Sequence, residues 1–152
     1  MQFYLKQIKN EKNLITETSV SVDATSAQVW IALTTPKMVN KYLMETDVTT
    51  EWKERSVITY SGEYERKKCP NKGIIKKIDP EIIMQSTYWR SMGGKEDKPE
   101  NNNLVIYNIP KRDDKTLITL SHNNNVTGKE KEHSTENWKM VVKKLKEVFE
   151  SR

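Results

Sequence analysis

A chain of 152 residues suits one domain, residues 1–152, with one sizeable core. With 31% charged residues its surface is very wet, and no run approaches the ~20 apolar residues of a membrane span, which excludes membrane insertion. The net charge of +5 raises the question of nucleic acid, but Arg66, Lys67 and Lys68, with Lys72, Lys76 and Lys77 nearby, form a basic cluster without a recognised nucleic-acid motif. That cluster reads as a solvated hairpin face, and no nucleic-acid partner is expected. The single cysteine, Cys69, forbids an internal disulfide and fits a reducing cytoplasm. The start MQFYLKQIKNEKNLI lacks the apolar run and cleavage site of a secretory signal, so a cytoplasmic location is expected.

Residues 1–13 read as a loose arm or a short edge element. From Leu14 to Val22 the text LITETSVSV alternates Ile15, Val20 and Val22 with Thr and Ser and predicts a first strand. Thr25 or Ser26 then caps a short helix, AQVWIALT, with Val29, Trp30 and Leu33 on one face. Pro36 opens a second short helix that turns Met38, Val39, Tyr42 and Leu43 inward.

Period two returns at Val57–Tyr64, with Ile58, Tyr60 and Tyr64 on one face and Gly62 as a bulge or close approach. Lys68 to Gly73 is a turn by composition. The runs GIIKKI and IIMQSTYW, joined through Asp79-Pro80, complete an antiparallel meander. Ser91–Asn103 is the longest loop, with almost nothing to bury. Next comes a hairpin of LVIYNI, with Val105, Tyr107 and Ile109 on one face, and TLITLSH, with Ile118, Leu120 and His122 on one face. Asn123, Asn124 and Asn125 lead through Gly128 to the last element.

From about Glu130 to Ser151, Trp138, Val141, Val142, Leu145, Val148 and Phe149 follow the helical i, i+3, i+4, i+7 rule. Between them lie Lys139, Lys143, Lys144, Lys146, Glu147 and Glu150, so the opposite face is charged. A long helix with one apolar stripe must lie on the sheet that the strands build, and the space between them is the natural ligand site.

Four blocks, VDATSAQVWIALTTPKMVNKYL, KGIIKKIDPEII, TLITLSH and HSTENWKMVVKKLKEVFE, resemble in order and spacing the START-like, helix-grip superfamily. The branch that the chain looks like is that of single-domain proteins similar to the C-terminal domain of the activator of the ninety-kilodalton heat-shock protein ATPase. Within it, EDKPEN before a strand and the pair Asn137-Trp138 resemble one bacterial subgroup. The resemblance implies an α+β fold, a curved antiparallel sheet of about seven strands around a long C-terminal helix, with two short helices after the first strand. It also implies a cavity that takes apolar or amphipathic small molecules in carriers and hormone receptors, and substrates in the cyclase and aromatase branches. Two departures stand out: Glu54-Arg55-Ser56 occupy the place where related sequences commonly carry Gly, and the separate N-terminal domain with which the eukaryotic co-chaperone grips its partner has no counterpart in these residues.

The candidate chemistry is sparse. His122 lies on the cavity face, near Asn137 and Trp138, and would need a carboxylate or an acidic proton in reach to act as a base. His133 reads as an exposed residue of the first helical turn, and Cys69 beside its lysines has no nucleophile signature. One Cys and two distant His do not make a zinc site, and Gly93-Gly94 does not make a phosphate loop, so no cofactor or metal is expected. The aromatics give the better site: Trp52, Tyr60, Trp89, Tyr107 and Trp138, with Tyr42 at the helical mouth and Ile58, His122 and Val141 beside them, as the walls of a ligand cavity. A bulge would let Tyr88 and Trp89 exchange roles. The expected partner is a small hydrophobic or amphipathic molecule. The competing expectations are a module that docks on a chaperone or other protein, and a cyclase- or hydrolase-like enzyme that uses His122.

Overall fold

The computed structural model describes residues 14–43, 45–61, 71–90, 94–112 and 115–150. Strand β1 (Leu14–Val22) is followed by helices α1 (Ser26–Thr34) and α2 (Pro36–Tyr42), then by β2 (Asp47–Thr49), β3 (Val57–Ser61), β4 (Asn71–Asp79) and β5 (Ile83–Tyr88). After a 3-10 turn at Pro99–Asn101 come β6 (Asn103–Asn108), β7 (Lys111–Arg112), β8 (Lys115–Asn125) and the long helix α3 (Gly128–Glu150). The strands run antiparallel in the order β1-β8-β6-β5-β4-β3-β2, and the two-residue β7 pairs with β8. This is the curved seven-strand sheet and long terminal helix of a helix-grip fold.

Local chemistry explains the boundaries. Thr25 caps α1 through a reciprocal pair: its Oγ1 accepts from the Gln28 N–H, and the Gln28 side chain accepts from the Thr25 N–H. Pro36 at the start of α2 has no amide hydrogen to lose there. Along β8 every second residue from Thr116 to His122 is buried, and Ile118 and Leu120 are fully so. The stripe of α3 buries Val141, Val142, Leu145 and Phe149, all in its C-terminal half. Its N-terminal half is held to the sheet by polar bonds instead. Thr16 Oγ1 donates to the Lys131 carbonyl at 3.3 Å, and Ser134 Oγ donates to Asn125 Oδ1 at 2.7 Å.

Several boundaries differ from expectation. In β1 the inward position belongs to Thr16, 1% exposed, while Ile15 faces out, because the Thr16 hydroxyl has partners on α3. Asn71 and Lys72 are strand, not turn. Asn123–Asn125 also continue β8 rather than leave it, since Asn125 Nδ2 donates to the carbonyls of Leu14 and His122 and so compensates for a poor strand former. Helix α3 starts at Gly128, two residues early, where Thr127 Oγ1 accepts from the Glu130 N–H. Arg55 adopts φ 73°, in the left-handed region that favours glycine. Gly62, Tyr64, the Arg66–Lys68 cluster and Cys69 lie outside the described residues.

Gly73 is required by a close crossing. A Cβ there would stand 1.7 Å from the Thr87 carbonyl oxygen, and the Thr87 hydroxyl accepts from the neighbouring Ile74 N–H at 2.8 Å. The backbones of β4 and β5 touch at this point. Gly73→Ala is therefore expected to cost more than about 2 kcal/mol in urea unfolding. Gly128→Ala, whose Cβ would meet nothing within 4 Å, should leave stability unchanged or slightly raised.

Candidate functional site

A cavity of about 590 Å³ lies between the sheet and the N-terminal half of α3. Its inner wall follows from strand register. Val105 on β6 pairs with His122 on β8, and Tyr107 pairs with Leu120, so Tyr107 and His122 share the face that looks toward α3. From β3 and β5 come Tyr60 and Tyr88, edge to face at 5.4 Å, and α3 adds Trp138 and Val141.

Trp138 organises this wall. Its ring stands edge-on to Tyr107 at 6.3 Å and tilted against His122 at 5.8 Å, and its Nε1–H donates to His122 Nδ1 at 2.8 Å. An indole N–H can only donate, so Nδ1 is the acceptor and the neutral imidazole carries its proton on Nε2. Burial lowers the His122 pKa to about 4, which keeps the ring uncharged at neutral pH. The same desolvation, helped by neighbouring phenols, pushes Tyr42, Tyr60 and Tyr107 well up, so they stay protonated. The interior is aromatic, polar at a few atoms, and uncharged.

The mouth is different in kind. Asn71, Asn101, Asn103, Asn124 and Asn137 surround it, with Glu45, Arg90, Lys95, Glu130 and His133 at its edge. Asn71 Nδ2 donates to the Tyr88 hydroxyl at 2.8 Å. Lys95 Nζ reaches Glu130 Oε1 at 3.4 Å, and Trp89 Nε1 donates to the Lys95 carbonyl at 3.1 Å. Burial opposes ionisation of Glu130, but the Val126 N–H and Lys95 outweigh it and hold the carboxyl below its ordinary value. Among the described residues no group of three or more His, Cys, Asp or Glu side chains is placed to hold a metal ion.

Of the nine expected lining residues, Tyr60, Trp89, Tyr107, His122, Trp138 and Val141 meet at this cavity. Tyr42, Trp52 and Ile58 do not line it. The Tyr42 hydroxyl donates to the Leu33 carbonyl at 3.1 Å inside the helical corner, Ile58 is 3% exposed in the core, and Trp52 packs against that core from the bend before β3. Tyr88 takes the inner wall beside Tyr60, and Trp89 stays at the mouth under Lys72. The asparagines were not expected in the site: their runs at 101–103 and 123–125 carry the composition of loops, and only their side-chain bonds reveal them as a rim. His133 is exposed, as expected, and borders the mouth.

Residues 23–150 match the family model for activator of Hsp90 ATPase homolog 1-like proteins. The chain resembles the solution structure of ChR145 from Cytophaga hutchinsonii with a TM-score of 0.79 and 32% identity, over 91% of this chain and 94% of that one. It also resembles the Aha1 dimer from Colwellia psychrerythraea, with a TM-score of 0.71 and 15% identity, over 90% and 96% of the two chains. CalU16 from Micromonospora echinospora gives 0.66 and 17% identity over 88% and 82%. No curated protein matches the chain.

The depressed His122 pKa links the site to stability. Between about pH 6.5 and 4 the unfolded chain binds a proton here that the folded chain refuses, so stability falls as pH drops through that window. The loss at the acid end is on the order of 3 kcal/mol. An NMR titration of the His122 ring should turn near pH 4. A midpoint near 6.5 would mean that the imidazole is solvated and the bond from Trp138 is absent.

Proposed function

The chain belongs to the family of activator of Hsp90 ATPase homolog 1-like proteins, and from that premise we propose that it binds a small hydrophobic or amphipathic molecule, non-covalently, in the cavity beneath α3. The observation that carries this reading is the cavity itself. It has about 590 Å³, an uncharged aromatic interior and a polar rim. That volume lies within the range of sites for drug-sized ligands, and the layout suits an occupant with an apolar body and a polar end.

Neither competing reading has a comparable observation behind it. A general base needs a free lone pair within reach of a proton, whereas His122 Nδ1 is occupied by the Trp138 indole and, among the described residues, no carboxylate hydrogen-bonds the ring. A docking module of the chaperone type would be argued from the basic hairpin at Arg66–Lys68, which lies outside the described residues. Among those residues no helix is long and apolar enough to cross a membrane.

Native mass spectrometry of freshly purified protein, followed by organic extraction, tests the proposal. A stoichiometric small molecule that leaves on denaturation is the expected result. Its affinity should drop at least about tenfold in Tyr107→Ala or Trp138→Ala, since each removes a large buried contact. Lys143→Ala and Lys144→Ala, on the charged side of α3, should leave it unchanged. A bare mass, with no thermal stabilisation by any of a panel of apolar compounds, would overturn the reading.

A further inference from the structure

Two polar groups of the inner wall have no hydrogen-bond partner among the described residues. His122 accepts from Trp138 at Nδ1, so its proton sits on Nε2, and no described residue accepts that proton. The Tyr107 hydroxyl is likewise without a hydrogen-bond partner, whereas the Tyr42 hydroxyl binds a carbonyl and the Tyr88 hydroxyl accepts from Asn71. His122 and Tyr107 are 8% and 6% exposed, yet neither atom is sealed away from solvent: both residues open onto the cavity they line. An occupant that displaces water from these donors must offer acceptors in its place or lose affinity.

The two donors are diagonal neighbours on adjacent strands. His122 is opposite Val105, two residues from Tyr107, and this relation places side chains about 7–8 Å apart at their bases, within joint reach of one small group. Trp138 stands against both rings and offers an apolar surface beside them. A carbonyl oxygen has two lone pairs and no proton of its own, which matches two donors. We propose that His122 Nε2–H and the Tyr107 hydroxyl together hold one neutral carbonyl oxygen, and that the occupant is a flat apolar ketone or quinone lying against Trp138. This rests on the cavity-binding reading and adds its recognition chemistry.

The charge of the surroundings selects neutral over anionic oxygen. Among the described residues, the cationic side chains that border the cavity, Arg90 and Lys95, stand at the mouth, and Lys95 is already paired with Glu130. A carboxylate carried down to His122 and Tyr107 would lose its water and gain no opposite charge. An amine would meet donors where it needs acceptors.

Equilibrium dialysis of the full-length protein with 9-fluorenone, fluorene and fluorene-9-carboxylate, and with anthraquinone and anthracene, distinguishes the possibilities. The ketone and the quinone should bind about tenfold tighter than their hydrocarbons, as one or two hydrogen bonds to a desolvated oxygen would give. Tyr107→Phe should erase most of that preference while fluorene binds as before. His122→Asn, whose amide oxygen replaces Nδ1 for Trp138 but not the Nε2 donor, should do the same. The infrared carbonyl band of bound fluorenone needs no variant: it should lie below its position in an apolar solvent and move back in Tyr107→Phe. Equal affinity for ketone and hydrocarbon would overturn this inference and leave cavity binding standing. Tighter binding of the carboxylate would overturn the preference for a neutral oxygen, and failure of every compound to bind would overturn both readings.

Discussion

The way α3 is fixed to the sheet decides everything else in this fold. Its C-terminal half is fastened by dispersion and the exclusion of water, through Val141, Val142, Leu145 and Phe149. Its N-terminal half is fastened by directed bonds from Thr16, Asn125 and His122 to residues of the helix. An apolar stripe packs as closely as side chains permit, whereas hydrogen bonds set a spacing. One rigid element with two kinds of attachment can therefore be tight against the sheet at one end and hold a chamber open at the other.

The chamber then acquires its character from what the bonds leave over. Trp138 uses its single donor on His122, which fixes the imidazole tautomer and leaves the ring proton on Nε2. Burial keeps the imidazole and the phenols of Tyr60 and Tyr107 neutral at physiological pH. Among the described residues, charge appears only at the rim, at Glu45, Arg90, Lys95 and Glu130.

Most of the frame was legible in the sequence because periodicity reports burial directly. The stripe of α3, the alternation of Ile118, Leu120 and His122, and Pro36 at a helix start each follow from one local rule. The misread places share a cause, which is that a distant partner reverses a local preference. Asn125 is a strand residue because Leu14 and Ser134 bond it, and Lys72 is one because its N–H and carbonyl both pair with Trp89. For the site, strand register carried Tyr60, Tyr107 and His122 to the right face. Tyr42 and Ile58 turn inward as the periods of their helix and strand imply, but into the core away from the cavity, and Trp52 sits in a bend, where no period constrains direction.

The segment 94–102 borders the mouth through Lys95 and Asn101 and is fastened mainly by surface bonds: Lys95 to Glu130, Lys72 to Asp97 at 2.7 Å, and Asn124 Nδ2 to the Glu100 carbonyl at 3.0 Å. Exposed ion pairs contribute at most about 1 kcal/mol each, so lifting this strap is far less costly than separating β5 from β6 or α3 from its stripe. In the proposed binding role, capture and release would thereby be uncoupled from the integrity of the fold. Sequence change along the strap would then alter how long an occupant resides without altering what the interior recognises, leaving timing and selectivity to evolve on separate parts of the chain.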